Sequence, residues 1–332
     1  MNKIGIIGTG IWGTALALNA TRAGNDVLCW ARHQNIIDNI NSNHINQTYL
    51  PETMLPKNIR ATSELKEIFE FTDIVLLTVS AQFTREVMKN IKPFIKKETI
   101  LVLCAKGLEA NTGKLLSEIA KEELPDTTIA ILSGPGFATD VAQEKFVSVT
   151  IACRNKDIAK TITERLGTPY FRPYYTTDII SPEIGGSIKN VIAIASGIVE
   201  GASFGDGARA ALITRGLSEI ARLCKALGGN IETMMGMCGL GDLVMTSSCM
   251  QSRNFKFGYE IGKHGSAEKI LKENTVTVEG IHTAKAVVKR AKELNLEMPI
   301  CEMVNRILYH GISLKDAMAE LLSRSYKEEG VY

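Results

Sequence analysis

The sequence predicts an α/β Rossmann-like N-terminal domain with a mostly parallel sheet, followed by an all-α C-terminal domain. In the first half, short apolar runs rich in isoleucine, valine and leucine alternate with segments of helical spacing. Near-continuous apolar runs are typical of strands buried on both faces, as in a parallel sheet covered by helices. The alternation of such strands with helices indicates a doubly wound domain.

The predicted elements divide the chain near residue 178. The predicted strands are Ile4–Ile7, Val27–Trp30, Ile74–Val79, Ile100–Cys104, Ile129–Leu132 and Val147–Ala152. The helical segments between them include Ala15–Ala23, Arg85–Ile91, Lys114–Lys121 and Ile158–Leu166. After Asp178 the strand pattern stops, and the predicted helices are Pro182–Glu200, Gly207–Leu227, Arg253–Lys263, Gly280–Leu294, Pro299–His310 and Ser313–Leu322. The predicted domains are therefore residues 1–178 and 179–332.

Composition excludes several classes of protein. A chain of 332 residues suggests about two domains. The formal net charge of +2 is too small to indicate binding to nucleic acid or to an anionic membrane. No uninterrupted apolar run approaches the roughly 18 residues of a membrane span, and the seven cysteines lack the spacing of a disulfide framework. We expect a cytoplasmic protein with reduced cysteines, without membrane insertion and without a metal site.

A GxGxxG sequence follows the first predicted strand directly. It comprises Gly8, Gly10 and Gly13, and the helix that follows ends before Gly24. In a dinucleotide-binding fold, the three glycines permit a tight turn, close approach of the pyrophosphate, and close packing of helix and strand. The helix N-terminus offers free N–H groups and a positive dipole to phosphate. The alternative is that the glycines serve a tight βα turn alone.

The end of the second predicted strand bears on the choice of cofactor. NAD-preferring sites place a carboxylate there, whereas NADP sites offer arginine to the 2′-phosphate. This chain has Arg32 and His33 after Trp30-Ala31, with no carboxylate. Because arginine binds phosphate as a planar fork of donors, we infer a preference for NADPH. Acceptance of NADH remains open, as does the reading of an ordinary exposed Arg–His pair.

Two lysines are candidate catalytic groups. Lys106 follows the strand Ile100–Cys104, and ligands of doubly wound domains bind beyond the carboxyl ends of such strands. Lys189 lies in a very apolar predicted helix, where burial would lower its pKa and a nearby Lys106 would lower it further. Such an amine can exchange a proton with an alcohol near neutral pH. Each lysine taken alone has another interpretation. Lys106 would be an ordinary surface residue, and Lys189 would extend its ammonium group to solvent.

Three further segments carry candidate binding residues. The loop Ser133–Ala138 follows a strand, and its small residues let the backbone approach a ligand, unless it is a simple turn. Asp242 lies among apolar neighbours, where a lone carboxylate is costly, so that Lys189 is its expected partner. Ser252, Arg253 and Asn254 open a helix, and a helix start with an arginine suits a phosphate group. Simple capping with an exposed arginine is the alternative.

Together these segments resemble the bacterial NAD(P)-dependent glycerol-3-phosphate dehydrogenases from Lys3 to about Leu322. The sequences that carry the resemblance are GTGIWGTA, AKGLE, SGPGFA, GGSIKNVIAIASG, ALITRGLSEIARL, GLGDL, QSRN and VEG. The resemblance implies reversible reduction of dihydroxyacetone phosphate to glycerol-3-phosphate, which supplies phospholipid synthesis. The predicted helical domain allows a homodimer, although the sequence locates no interface.

The resemblance implies a role for each matching residue. Lys189 matches the catalytic proton donor and acceptor, and Asn190, Asp242 and Thr246 match groups that support it. Lys106, the fifth candidate catalytic residue, matches a lysine that contacts both cofactor and substrate. The matching cofactor positions are Gly8, Gly10, Ile11, Trp12, Gly13, Arg32, His33, Lys106, Ala138, Arg253, Val278 and Glu279. The matching substrate positions are Lys106, Gly134, Gly136, Lys189, Asp242, Ser252, Arg253 and Asn254.

Two positions depart from the family pattern, and two other functions compete. Ile11 stands where members usually have serine, and Gly136 where they usually have serine or threonine, so that each site loses a hydroxyl group worth about 0.5–1.5 kcal/mol. A ketopantoate reductase or β-hydroxyacid dehydrogenase would share the architecture and a lysine, but would have no use for the Gln251–Asn254 phosphate site. A nucleotide-sensing regulator would bind NADPH without turnover and would have no use for Lys189 beside Asp242.

Overall fold

The computed structural model describes residues 2–274, 276–326 and 328–329, which form two compact units. The first unit joins the chain through Ala105 to Leu116–Ile179. The second joins the segment Lys106–Leu115 to the chain from Ile180 onward. The first unit carries a large sheet with helices, and the described part of the second unit contains helices and no strand. The predicted fold class is confirmed.

The sheet of the first unit has eight strands and is parallel except at one pair. The strands of the chain are β1 (Asn2–Ile7), β2 (Asn25–Trp30), β3 (Ile45–Asn46), β4 (Leu50–Met54), β5 (Ile59–Thr62), β6 (Ile74–Leu77), β7 (Ile100–Leu103), β8 (Thr128–Ser133), β9 (Val147–Cys153) and β10 (Phe171–Thr176). Their order in the sheet is β10-β9-β8-β7-β6-β1-β2-β5, and β8 pairs with β9 antiparallel. Strands β3 and β4 form a separate antiparallel pair.

Helices cover this sheet and build the second unit. Those of the first unit are α1 (Ile11–Arg22), α2 (Gln34–Asp38), α3 (Leu65–Phe71), α4 (Thr84–Ile91), α5 (Leu116–Glu123), α6 (Ala138–Ala142) and α7 (Lys156–Leu166). Those of the second unit are α8 (Ile180–Gly201), α9 (Asp206–Ala226), α10 (Ile231–Met234), α11 (Asp242–Ser247), α12 (Arg253–His264), α13 (Ala267–Glu273), α14 (Glu279–Glu293), α15 (Pro299–Tyr309) and α16 (Leu314–Leu322). Among these residues no helix combines the length and the apolar character that a bilayer crossing requires.

Helix α8 is the centre of the second unit. It packs against α9, α11, α12 and α14, and nearly all of its residues are buried. Its crossing with α12 is close because glycines face backbone: a Cβ atom built on Gly197 would lie 2.0 Å from the Phe255 carbonyl oxygen, and one on Gly258 would lie 2.0 Å from that of Ile194. This crossing fixes the N-terminal end of α12 against α8.

The segment Lys106–Leu115 groups with the second unit, whereas the sequence placed it within the domain 1–178. Leu108 and Leu115 are buried in the apolar core that α8 and its neighbouring helices form. Lys289 on α14 also donates to the backbone carbonyl of Asn111 at 2.7 Å. Because these contacts are distant in sequence, the local pattern did not reveal them. The segment brings Lys106 into the helical unit.

Strands β5 and β10 were missing from the sequence prediction. Both lie at the edges of the large sheet. Strand β10 contains Pro173 and has exposed tyrosines at Tyr174 and Tyr175, so that it lacks the continuous apolar run of a central strand. Proline removes a donor from the ladder and is tolerated at an edge. The backbone pairing of β10 with β9 therefore determines this strand, and the local pattern of apolar residues does not.

Candidate active site

Lys189 is buried in the middle of α8, with the residue 4% exposed. Its Nζ atom donates to the Thr246 hydroxyl at 2.7 Å and to Oδ1 of Asp242. Residues four apart on a helix share a face, and Thr246 lies one turn after Asp242 on α11. The start of α11 thus provides both partners of the lysine. The ammonium is satisfied inside the unit and does not extend to solvent.

Asp242 joins two ammonium groups through its two carboxylate oxygens. The residue is fully buried and begins α11, directly after the π-helical turn Met237–Gly241. Oδ1 accepts from Lys189, and Oδ2 accepts from Nζ of Lys106 at 2.8 Å. A buried carboxylate requires such compensation because its desolvation is expensive. One carboxylate between two lysines leaves a net positive charge, which suits an anionic substrate or a developing alkoxide.

The pKa of Lys189 is lowered from 10.5 to about 7. Burial is the largest cause, because it penalises the charged amine. The Asp242 carboxylate opposes this effect by favouring the ammonium, and the positive charge of Lys106 lowers the pKa further. Both protonation states are therefore populated near neutral pH. Such a group can act as an acid in one direction of a reaction and as a base in the other.

A chain of amide contacts positions the segment that bears Lys106. The Asn190 side chain donates to the backbone carbonyl of Lys106 at 3.3 Å and accepts from Asn254 at 2.9 Å. Asn254 in turn accepts from the backbone N–H of Gly280 at 2.9 Å. These contacts connect α8, the start of α12 and the start of α14. Asn190 and Asn254 thus lie beside the lysine pair and fix its surroundings.

The predicted phosphate-binding residues lie at the start of α12. Ser252 is the N-cap, and its hydroxyl accepts from the Phe255 N–H at 3.3 Å, as expected for a capping serine. Arg253 is exposed at the first position of the helix. Two predicted cofactor residues lie before the next long helix: Val278 is buried, and Glu279 begins α14. The second unit therefore carries Lys106, Lys189, Asp242 and this helix start.

In the first unit, the glycine-rich loop joins β1 to the N-terminus of α1. Gly8 has a φ of 111°, and a Cβ atom on Gly13 would lie 1.9 Å from the Gly8 carbonyl oxygen, so that both positions require glycine. A Cβ atom on Gly10 would meet no atom within 4 Å. Helix α1 has no side-chain cap at its N-terminus. Open space beside an uncapped helix start fits a dinucleotide pyrophosphate.

Arg32 and His33 follow the end of β2, as the sequence predicted. Both are exposed, and the Arg32 Nε lies 3.4 Å from the His33 Nε2. No acidic residue lies between Trp30 and Gln34. The exposed guanidinium fits the 2′-phosphate of NADPH, because its donors form a planar fork.

The loop after β8 packs near the start of α1. Gly134 and Gly136 lie between the end of β8 and Ala138, which begins α6. A Cβ atom on Gly136 would lie 2.8 Å from Cγ1 of Val147 and 3.7 Å from Trp12. Val147 thus fills the space that a side chain at Gly136 would need. The indole Nε1 of Trp12 is buried and has no hydrogen-bond partner within the described chain, so that a bound ligand could supply one.

The structure brings together five candidate catalytic residues, Lys106, Lys189, Asn190, Asp242 and Thr246, within the second unit. It divides the candidate binding residues: Gly8, Gly10, Ile11, Trp12, Gly13, Arg32, His33, Gly134, Gly136 and Ala138 lie in the first unit. Their roles in binding and catalysis stay predictions. Sequence reasoning overlooked Thr14, Asn46 and Thr78, which contact the glycine-rich loop. Of these three, only Thr14 could have been found from the sequence, because it directly follows the last glycine of the loop.

Family models match both halves of the chain. One described as the N-terminus of NAD-dependent glycerol-3-phosphate dehydrogenase matches residues 3–159, and one described as its C-terminus matches residues 178–319. The chain belongs to the NAD-dependent glycerol-3-phosphate dehydrogenase family. The resemblance inferred from the sequence is confirmed.

Individual relatives agree with this assignment. A protein of Parvibaculum lavamentivorans named glycerol-3-phosphate dehydrogenase [NAD(P)+] is 45% identical over 98% of both chains. A crystal structure of glycerol-3-phosphate dehydrogenase from Coxiella burnetii has a TM-score of 0.92 at 37% identity, covering 97% of this chain and 99% of that one.

A ketopantoate reductase structure from Ralstonia eutropha is similar in fold alone. Its TM-score is 0.58 at 14% identity, over 92% of this chain and 97% of that one. The shared fold explains why the sequence kept this class as an alternative. The family match extends over the whole architecture and supports the glycerol-3-phosphate dehydrogenase reading instead.

Proposed function

We propose that this protein reduces dihydroxyacetone phosphate to glycerol-3-phosphate with NADPH, reversibly, and so supplies phospholipid synthesis. The observation that carries the proposal is the buried Lys189, whose pKa is lowered to about 7 beside Asp242 and Lys106. NADPH, when bound, supplies the hydride that adds to C2 of the substrate. The relatives' names state the same reaction class.

The residues of the second unit perform the proton chemistry. In the reductive direction the Lys189 ammonium donates a proton from Nζ to the developing C2 alkoxide. In the oxidative direction the neutral amine accepts the hydroxyl proton. The Lys106 ammonium stabilises negative charge on the same oxygen, because a fixed cation is effective in a water-poor site. Asp242 orients both amines.

The start of α12 binds the phosphate group of the substrate in this proposal. Arg253 and the N-terminal N–H groups hold the phosphate away from the reacting carbon. Such remote binding orients C2 for reaction. On the first unit, the loop Gly8–Gly13 and Arg32 bind the pyrophosphate and the 2′-phosphate of NADPH.

A direct assay tests the proposed activity. We expect the nicotinamide absorbance of NADPH to fall when dihydroxyacetone phosphate is added, with glycerol-3-phosphate as the product. Ketopantoate should support no comparable rate. Absence of turnover despite tight NADPH binding would instead indicate a nucleotide sensor, and turnover of ketopantoate alone would indicate the reductase alternative.

Replacing Arg32 by alanine is expected to weaken the binding of NADPH but not that of NADH. Loss of a charge-assisted contact to the 2′-phosphate should raise the KM for NADPH about tenfold or more. The KM for NADH should hardly change, because NADH lacks that phosphate. Arg60→Ala on β5 is a matched control, since its guanidinium lies exposed over the Phe71 ring. An NADH preference in the wild type that survives Arg32→Ala would contradict the assignment.

Replacing Arg253 by alanine is expected to weaken the binding of the substrate and to leave the chemical step little changed. The KM for dihydroxyacetone phosphate should rise about tenfold or more, because a charge-assisted phosphate contact is lost. Inorganic phosphate should compete with substrate in the wild type and compete less well in the variant. Lys256→Ala, exposed on the same helix, provides the control. An unchanged KM for dihydroxyacetone phosphate in Arg253→Ala would show that the phosphate group does not bind at the start of α12.

Two finer proposals concern the compartment and the assembly. We propose a cytoplasmic enzyme, and the support is that the seven cysteines lack the spacing of a disulfide framework and that six of them are buried. A homodimer is proposed as the assembly, to be measured by sedimentation equilibrium. A monomer at micromolar concentration would contradict it.

A further inference from the structure

The carbonyl groups of the glycine-rich loop accept hydrogen bonds from side chains of neighbouring segments. Thr78, which follows β6, donates its hydroxyl to the Gly8 carbonyl at 2.6 Å and lies 3.1 Å from the Ile7 carbonyl. Asn46 on β3 donates to the Thr9 carbonyl at 2.9 Å. Thr14 on α1 donates to the Gly10 carbonyl at 2.9 Å. The carbonyl oxygens of Gly8, Thr9 and Gly10 thus each have a side-chain donor. That of Ile7 accepts from the backbone N–H of Thr78 at 2.9 Å.

Asn46 is the residue that couples two of these contacts. It is fully buried, and its amide nitrogen also donates to the Thr14 hydroxyl at 2.8 Å. Because the Thr9 carbonyl can only accept, the NH2 group of Asn46 must face it, which fixes the orientation of the amide. Both protons of this nitrogen are used. Asn46 therefore orients Thr14, which in turn binds Gly10.

This network determines which way the loop peptides point. Glycine allows many backbone orientations, so that a loop rich in glycine does not by itself hold one. A carbonyl oxygen turned outward would repel a pyrophosphate, whereas an outward N–H would bind it. Binding the carbonyls on the protein side leaves the uncapped start of α1 and the open space beside Gly10 for the anion, while the Gly8 N–H donates to the Trp30 carbonyl. A site organised before binding avoids paying ordering entropy on association.

We propose that Asn46 and Thr78 are positioning residues for the dinucleotide pyrophosphate. They act by binding the loop carbonyls and touch neither the substrate nor the reacting atoms. The inference rests on the proposed function, in that the first unit must bind a dinucleotide. It goes further by assigning the loop orientation to two residues outside the GxGxxG sequence.

Asn46→Asp tests the contact because it replaces the NH2 donor by an oxygen of the same size, and Thr78→Val tests it without adding a charge. The Kd for 2′-phospho-ADP-ribose, measured by titration calorimetry, should rise about tenfold or more. The KM for NADPH should rise similarly, while kcat at saturating NADPH stays within about twofold. Thr78→Val should act in the same direction, and Thr78→Ser, which keeps the hydroxyl, should restore affinity. The Thr78 pair decides the matter if Asn46→Asp does not fold.

Asn19→Asp is the matched control. Asn19 lies on α1 of the same unit, is 2% exposed, and donates to the Leu166 carbonyl at 2.8 Å. It should lose thermal stability as Asn46→Asp does, yet keep wild-type affinity for the nucleotide. Wild-type affinity in both Asn46→Asp and Thr78→Val would overturn the inference, as would an equal loss in Asn19→Asp. If the wild type itself bound no 2′-phospho-ADP-ribose, the proposed function would fail as well.

Discussion

Replacing Lys189 by methionine is expected to lower kcat by about 10²–10⁴-fold, the range of positioned acid–base catalysis. Methionine keeps much of the buried stem and removes the amine that exchanges the proton. The Kd for NADPH should stay nearly unchanged, because the glycine-rich loop and Arg32 lie in the first unit. Steady-state rates and nucleotide titration together check this. Lys225→Met, exposed on α9, should behave as the wild type. Wild-type turnover in Lys189→Met would remove the lysine from the mechanism.

The same substitution has a consequence for stability. The folded pKa of Lys189 lies near 7, below its unfolded value of 10.5, so that the unfolded chain binds more protons between these pH values. The contribution of Lys189 to the free energy of unfolding therefore rises with pH across this window. The methionine variant should lose that part of the pH dependence, which denaturant titrations at pH 7 and pH 10 can detect.

Replacing Asp242 by asparagine is expected to cost both activity and stability. Removing one member of a buried charge pair typically costs about 3–5 kcal/mol of unfolding free energy, and here both Lys106 and Lys189 lose their carboxylate. Because Asp242 raises the pKa of Lys189 and Lys106 lowers it, the pKa should fall further in the variant. At pH 7 the amine would then be mostly neutral, so that the reductive rate falls more than the oxidative rate.

The pH–rate profiles make this prediction testable. In the wild type the oxidative kcat/KM should rise through about pH 7 as the amine becomes neutral, and the reductive kcat/KM should fall there. Both limbs should move to lower pH in Asp242→Asn. Glu200→Gln, which removes a carboxylate from the same helix as Lys189, should leave the profiles in place, because Glu200 pairs with Arg209 instead. Unshifted limbs in a folded Asp242→Asn enzyme would refute the coupling.

Local sequence patterns predicted the central elements of the fold. Strands β6 and β7 carry uninterrupted apolar runs, and α8 carries a long apolar run, so that each is recognisable by itself. Strand β10, with its proline and exposed tyrosines, depends on β9 for its pairing. The placement of Lys106–Leu115 depends on contacts with helices far along the chain. Contacts between residues so distant in sequence cannot be predicted from the local spacing of apolar residues.

The candidate site divides in the same way. The pairing of Lys189 with Asp242 was predictable, because a lone carboxylate among apolar residues needs a cation. The second contact of Asp242, with Lys106, required the fold, as did the chain from Asn190 through Asn254 to Gly280. Asn46 lies in a short strand without a chemical signal, so that its contact with the glycine-rich loop was not predictable.

The pKa of the Lys189 amine is the most direct measure of the proposed chemistry. With lysine labelled by ¹³C at Cε, one resonance that is missing in Lys189→Met should titrate near pH 7 in the folded protein. A Lys189 resonance that stays protonated up to pH 10 would show an ordinary ammonium, and the account of this residue as proton donor and acceptor would then be wrong.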